Sequence, residues 1–111
     1  MQYTHRELAK GGWQKLTLME QFANIGSEVH RAITWFEKKE QLHFQNAFER
    51  ALELFDLTLA DPRWQGRRKE IARSREVFCD LFYGGNQYNT DPKSLDNYFM
   101  LFAIAARNRK S

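Results

Sequence analysis

The chain has 111 residues, which is the ordinary size of one domain and too short for two hydrophobic cores. Hydrophobic residues make up 42% and charged residues 28% of it, proportions that exclude a disordered or fibrous protein. The formal net charge of +3 is mild and does not by itself indicate a partner. We therefore expect residues 1–111 to form a single globular domain.

The sequence contains no recognisable membrane span or signal peptide. No uninterrupted apolar run approaches the roughly 20 residues that a transmembrane helix needs. Residues Met1 to His5 lack the charged and then apolar layout of a signal peptide. Cys79 is the only cysteine, so neither an internal disulfide nor a thiolate zinc site can form. We expect a cytoplasmic protein that does not interact with a membrane.

The first long helix is predicted to begin at Thr17. Thr17 and Glu20 match a capping box, in which each side chain accepts a hydrogen bond from a backbone N–H of the other residue. A glycine within the following helix costs about 0.5–1 kcal/mol relative to alanine, so we expect a neighbouring helix to approach closely at Gly26. Apolar residues recur there at intervals of three and four and must face a core; this stripe contains Phe22, Ile25, Gly26, Val29, Ile33 and Phe36.

Three more long helices are predicted from the residues that start or stop them. The second runs from Leu42 to Ala60, is the most apolar, and is expected at the centre; it ends at Asp61-Pro62 because the residue before a proline disfavours helical backbone. The third runs from Arg67 to Tyr83 and stops at Gly84-Gly85. The fourth begins after Asp91-Pro92, with the aspartate as its cap. Its buried side is expected to contain Leu95, Tyr98, Phe99, Phe102, Ile104, Ala105 and Ala106.

Short connections between these helices favour antiparallel neighbours. The predicted fold is therefore all-α, an up-and-down antiparallel bundle of four main helices. A second capping box, Thr4 with Glu7, predicts an additional short helix over Thr4 to Lys10. The residues expected in the core are Phe22, Ile25, Val29, Phe48, Phe55, Phe78 and Phe102.

Basic residues are concentrated at the start of the third helix, where Glu70 is the only acidic residue within residues 63–75. Cations at a helix N-terminus oppose the helix dipole at about 0.3–1 kcal/mol each, so stability does not explain the cluster. An RNA or DNA backbone is one candidate partner. The alternative is a solvated face whose arginines pair with nearby carboxylates. The candidate nucleic-acid-binding residues are Arg63, Trp64, Arg67, Arg68, Lys69 and Arg73, with the indole available for stacking.

A second set of polar residues suggests a different function. Asn24, Glu28 and Arg31 lie on one side of the first helix at spacings of four and three. Together with Glu53 and Asp80 they are candidates for a polar groove in a small enzyme or ligand-binding protein. The alternative is that these charges form ion pairs between helices or protomers.

No motif in the sequence predicts catalysis, a metal site or a cofactor. A di-iron bundle needs two Glu-x-x-His motifs on two helices, and the only match is Glu40 with His43, at the turn before the second helix. Cys79 has no basic residue beside it that would activate a thiolate. Gly84-Gly85 lacks the lysine of a phosphate-binding loop. We expect no catalytic residue, no bound metal and no cofactor.

The aromatic content predicts self-association. Nine Phe, four Tyr and three Trp are a large load for a domain of this size, so some should remain exposed. A symmetric dimer is the default assembly. The leading interpretation is a non-enzymatic helical scaffold or adaptor that self-associates and binds RNA, DNA or a protein partner.

Several strings resemble an uncharacterised family of short prokaryotic all-helical proteins. They are residues 24–29, 51–58, 75–80, 98–99 and 105–107, with the sequences NIGSEV, ALELFDLT, REVFCD, YF and AAR. The resemblance spans most of the chain and implies no activity.

A second resemblance covers Ala23 to about Leu59. Asn24-Ile25, followed by Glu28, Arg31 and an amphipathic second helix, is similar to the four-helix-bundle proteins encoded in 23S rRNA intervening sequences and to the accessory proteins of diversity-generating retroelements. This resemblance implies a basic, oligomeric bundle linked to nucleic acid.

Overall fold

A computed structural model describes residues 11–109, which contain four long α-helices and no strand. Two short 3-10 segments, Trp13–Lys15 and Pro62–Arg67, precede the first and third helices. The predicted all-α class is confirmed. The short helix predicted over Thr4 to Lys10 lies outside the described residues. The four helices are α1 (Leu18–Glu37), α2 (Gln41–Leu59), α3 (Arg68–Tyr83) and α4 (Pro92–Arg109).

The helix starts follow the predicted capping chemistry. The hydroxyl of Thr17 accepts a hydrogen bond from the backbone N–H of Glu20, whose carboxylate accepts one from the N–H of Thr17. At the start of α4 the carboxylate of Asp91 accepts from the N–H of Lys93 at 3.3 Å, and Pro92 is the first helical residue. These bonds satisfy backbone donors that the helix itself leaves unpaired.

Helices α1 and α2 are antiparallel neighbours. The indole of Trp35, near the end of α1, stacks on the imidazole of His43, near the start of α2, with ring centroids 4.5 Å apart. At the opposite end, Gln21 of α1 donates to Asp61, which follows α2, at 3.1 Å. The order of these contacts is reversed between the two helices, as an up-and-down arrangement requires.

Helix α3 packs antiparallel against α2. Gln45 donates to the hydroxyl of Tyr83 at 2.8 Å, and Arg75 donates to Asp56 at 3.1 Å. Residue numbers therefore increase along α2 in the direction in which they decrease along α3, as in an antiparallel pair. Since α2 contacts α3 on one side and α1 on the other, it has two helical neighbours.

Helix α4 returns to pack antiparallel against α1. The ring of Phe22 contacts that of Phe102 at a centroid distance of 4.8 Å, and Gly26 lies against Phe99 one turn further along α1. The predicted close approach at Gly26 is confirmed. The sequence predicts that α2 alone is the central helix. In the structure α1 contacts both α2 and α4, so α1 and α2 together form the centre of the bundle.

One hydrophobic core joins the four helices, and six of the seven residues predicted for it are buried. The seventh, Phe102, is only partly buried, and α4 instead buries Leu95 and Phe99. Two further predictions are wrong, because Phe36 is 50% exposed in the last turn of α1 and Ile104 is 45% exposed. At about 100° per residue, Ile104 lies roughly 140° around α4 from Phe99, on the outer face.

Each of the four helices is too short or too polar to cross a membrane, as judged over residues 11–109.

Candidate functional site

The basic segment is anchored by a buried carboxylate that directly precedes it. Asp61 is 1% exposed and accepts hydrogen bonds from the guanidinium and the backbone N–H of Arg63 and from the side chain of Gln21. The hydrogen bond from the Arg63 guanidinium, at 2.7 Å, is the main reason that the pKa of Asp61 is lowered from 3.8 to about 2. The same guanidinium also donates to the carbonyl of Leu16. Arg63 is therefore part of the packing between segments.

Trp64 is held by the same network. Its indole N–H donates to the side-chain carbonyl of Gln21 at 2.8 Å, and the Arg63 guanidinium lies 4.4 Å above its ring centroid. One face of the indole that the sequence suggested for base stacking is thus covered by an arginine. Nearby, Trp13 donates to the hydroxyl of Thr58 at 2.9 Å, which ties the first 3-10 segment to α2.

The remaining cations of the segment divide into paired and unpaired ones. Arg67 forms an ion pair with Glu70 at 2.9 Å, so its charge is neutralised locally. Among residues 11–109, no carboxylate forms an ion pair with Arg68, Lys69 or Arg73. All three are exposed, and the guanidinium of Arg68 donates to the backbone carbonyl of Leu59 at 3.1 Å. The prediction of arginines paired with nearby carboxylates therefore holds for Arg67, and Arg68, Lys69 and Arg73 stay candidates for binding an anionic partner.

A groove separates α3 from α4 beside these unpaired cations. It has a volume of about 240 Å³, and its lining residues are Glu70, Arg73, Ser74, Val77, Leu95 and Tyr98. The groove exists because α3 packs on α2 whereas α4 packs on α1. The guanidinium of Arg73 lies 4.8 Å above the ring centroid of Tyr88, in the connection between the two helices.

The residues proposed for a polar groove have separate environments. Asn24 donates to the backbone carbonyl of Glu20 at 2.8 Å. Asp80 accepts the backbone N–H groups of Gln87 and Tyr88, at 2.8 and 3.0 Å, and so fixes the connection between α3 and α4.

Glu28 and Arg31 are the two members of this set that form an ion pair with each other. Glu28 is buried, and its second carboxylate oxygen, Oε2, has no hydrogen-bond partner within the described part of the chain. Glu53 is exposed on α2. The structure therefore brings together one pair from the five candidates and places Asp80 in a loop-stabilising role.

A cleft of about 270 Å³ lies between α1 and α4. His30 Nδ1 and Asp96 Oδ2 are 2.9 Å apart at its edge. The hydroxyl of Ser27, which also lines the cleft, donates to the carbonyl of Ala23 at 3.3 Å. A serine nucleophile is hydrogen-bonded to the base that activates it. The Ser27 hydroxyl is instead bonded to its own helix, so it does not have the arrangement of a nucleophile activated by His30. Sequence reasoning missed the His30–Asp96 contact because the two residues are 66 positions apart.

An exposed apolar face on α4 borders this cleft. Met100, Leu101 and Ile104 are 50%, 65% and 45% exposed, and Met100 also lines the cleft itself. On a helix, residues three and four apart share one face, so these side chains form a continuous patch. Apolar patches of several hundred Å² on small proteins often bind a partner, so this face is a candidate interaction surface.

The described residues provide little support for metal or thiol chemistry. Within residues 11–109, no three His, Cys, Asp or Glu side chains are grouped so as to bind a metal ion. Burial raises the pKa of the Cys79 thiol, which disfavours the reactive thiolate.

Comparison of the chain with models of protein families, with curated proteins and with solved structures found no match. The function is therefore inferred from the side chains that this fold exposes.

Proposed function

We propose that the protein is a non-enzymatic helical-bundle module that self-associates through the outer face of α4 and the adjoining α1–α4 cleft. The observation that carries the proposal is the exposure of Met100, Leu101 and Ile104 on one face. Full burial of an exposed apolar side chain contributes roughly 1.5–3 kcal/mol, so burying the exposed half of each of these three would contribute about half of that. A second copy of the same surface would bury them.

The size of the face fits such an interface. Helices of 18 and 20 residues are about 27 and 30 Å long, and packed axes lie about 8–10 Å apart. At about 10 Å of width for each helix, the two together cover a projected area of roughly 600 Å², polar and apolar side chains included, which is on the scale of the ~800 Å² that each partner buries in a stable complex.

The cleft supplies a complementary surface. The small residues Ala23 and Ala103 line it and allow side chains of a partner to approach the backbone. In a twofold dimer the same patch serves both copies, so Met100 and Leu101 of each would lie over the cleft of the other. The chain therefore provides both the apolar side chains and the cleft that would receive them.

Sedimentation equilibrium tests the proposal directly. The unsubstituted protein should show an average mass that rises from monomer toward dimer across the micromolar range. A mass that fits the monomer at every concentration would refute self-association.

We further propose nucleic-acid binding as a second function, because Arg68, Lys69 and Arg73 lack carboxylate partners and lie together at the start of α3. Contacts of this kind release counterions, so three phosphate contacts should give a log–log salt slope of about −2 to −3. Titrations of single-stranded RNA and duplex DNA at several salt concentrations provide the test. Failure of both to bind at low salt would remove this function.

The alternative of a small enzyme or ligand-binding protein has less support. Asn24 and Asp80 are engaged by backbone groups of nearby residues, and the pair that forms within this set, among residues 11–109, is Glu28 with Arg31. A cytoplasmic location belongs to the proposal, and the lone cysteine is the feature that favours it.

A further inference from the structure

The groove between α3 and α4 has the composition of a ligand site. Val77, Leu95 and Tyr98 provide apolar walls, Arg73 adds a charged group, and the hydroxyl of Ser74 donates to the backbone carbonyl of Glu70 at 3.0 Å. Binding pockets typically combine apolar walls with a few polar groups that fix the orientation of the ligand. Leu95, which also lines the groove, is 5% exposed and belongs to the hydrophobic core.

Tyr98 forms a fixed aromatic wall. Its ring meets those of Phe99 and Phe102 at centroid distances of 5.2 and 5.3 Å, with interplanar angles of 82° and 71°. Edge-to-face packing of this kind favours one ring orientation. Tyr98 is only half-buried, so part of its ring remains available to a ligand. A side chain already held in place loses little conformational freedom when a ligand stacks on it.

The charge at the edge of the groove is positive. Lys69 and Arg73 are four residues apart on α3, which places them on one face. Glu70 also lines the groove, but its carboxylate is paired with Arg67 at 2.9 Å. Glu76 accepts a hydrogen bond from the hydroxyl of Tyr88 at 3.0 Å. Among residues 11–109, no carboxylate forms an ion pair with Lys69 or Arg73, so both can interact with an anionic ligand, although Glu76 keeps its negative charge and the Arg73 guanidinium also lies over the ring of Tyr88.

We propose that this groove binds a base of a single-stranded nucleic acid, stacked on Tyr98, with the adjoining phosphates on Lys69 and Arg73. The inference rests on the second proposed function, nucleic-acid binding, and moves its centre away from Arg63 and Trp64. An aromatic wall next to cations fits a planar base with a phosphate backbone. An acidic peptide without aromatic residues would use the cations but would have no planar group for the wall.

The first experiment compares a short oligothymidylate with an abasic oligomer of the same length and charge, by fluorescence anisotropy at low salt. One stacked base should make the oligothymidylate bind about 5- to 150-fold more tightly. Tyr98→Leu should remove most of this difference, whereas the control Tyr83→Leu, an exposed tyrosine outside the groove, should leave it unchanged. Equal binding of the two oligomers to the unsubstituted protein would overturn the inference.

A second pair of variants separates this inference from the function on which it rests. Lys69→Glu with Arg73→Glu should weaken both oligomers, and the control Lys38→Glu with Arg50→Glu, which changes the net charge equally, should have a smaller effect. If the oligomers bind and depend on Lys69 and Arg73 but not on Tyr98, nucleic-acid binding stands and the stacking site is wrong. If neither oligomer binds, both proposals fail.

Two further measurements test whether the partner is an acidic peptide and provide a readout if Tyr98→Leu does not fold. Polyglutamate that binds as tightly as oligothymidylate, with the same dependence on Lys69 and Arg73, would identify the partner as an acidic peptide and overturn the inference. If Tyr98→Leu does not fold, the ring-proton resonances of Tyr98 in the unsubstituted protein replace it. They should shift upfield with oligothymidylate and not with the abasic oligomer, and equal shifts would contradict stacking.

Discussion

Gly26 of α1 lies so close to Phe99 of α4 that a Cβ atom built on the glycine would be 2.6 Å from the Cβ of Phe99. Real Cβ atoms do not approach another atom so closely, so a larger residue would push the two helices apart. This contact fixes the spacing of α1 and α4. It therefore also sets the shape of the cleft through which we propose that the protein self-associates.

Gly26→Ala should destabilise the protein. Alanine gains about 0.5–1 kcal/mol of helix propensity, but overpacking against a core residue costs about 1–3 kcal/mol, so a net loss of up to about 2.5 kcal/mol is expected. Denaturant unfolding measures it. Gly66→Ala is the matched control, because nothing lies within 4 Å of a Cβ at that position. A Gly26→Ala protein as stable as the parent would show that the helices adjust without strain.

Phe55→Ala should cost about 3–5 kcal/mol of unfolding free energy, because it leaves a cavity in the core. Phe55 is fully buried, and its ring lies 5.9 and 6.0 Å from those of Phe78 and Phe99. Phe36→Ala serves as the control, since that ring is half exposed and should cost clearly less. A loss below about 1 kcal/mol for Phe55→Ala would mean that the residue is peripheral.

Stability should fall in acid as Asp61 becomes protonated. Its pKa is lowered in the folded protein from 3.8 to about 2, so the stabilisation is present above the unfolded-state value and is lost as the pH falls through the folded-state value. The difference corresponds to about 2 kcal/mol. Chemical denaturation as a function of pH should show this loss between about pH 4 and pH 2. Asp61→Asn should be less stable at neutral pH and should lack this part of the acid transition; an unchanged transition would assign it to other groups.

Arg63→Gln should reduce stability and leave nucleic-acid affinity nearly unchanged. The guanidinium pairs with Asp61 and also donates to the carbonyl of Leu16, so its loss leaves a buried carboxylate without its main partner. Thermal unfolding and oligonucleotide titration, on the same preparation, measure the two effects. A large loss of oligonucleotide affinity with unchanged stability would show that Arg63 binds nucleic acid directly.

Local chemistry explains what the sequence predicted well. The Thr17 capping box and the helix stops act within a few residues, so Thr17, Asp91 and Gly84 mark helix ends in the sequence alone. The role of Asp61 was not visible. The sequence indicates only a helix stop there, because the burial of Asp61 depends on packing against segments such as that of Gln21, 40 residues away, although its main partner Arg63 is two residues away.

The candidate surfaces were harder to predict for the same reason. Pairing of Arg75 with Asp56 depends on how α2 and α3 pack, and the exposure of Ile104 depends on which face of α4 meets α1. Both sides of α4 contain large apolar residues, so periodicity alone does not distinguish a core face from a face that awaits a partner.

The most direct test of the central claim is sedimentation equilibrium of two matched variants, Leu101→Glu and Leu42→Glu. Both leucines are exposed, at 65% and 72%, but only Leu101 lies on the proposed face of α4. Leu101→Glu should be monomeric across the micromolar range at unchanged helicity, while Leu42→Glu should associate like the parent. Association of Leu101→Glu at the parental strength, or equal dissociation of both variants, would contradict self-association through α4.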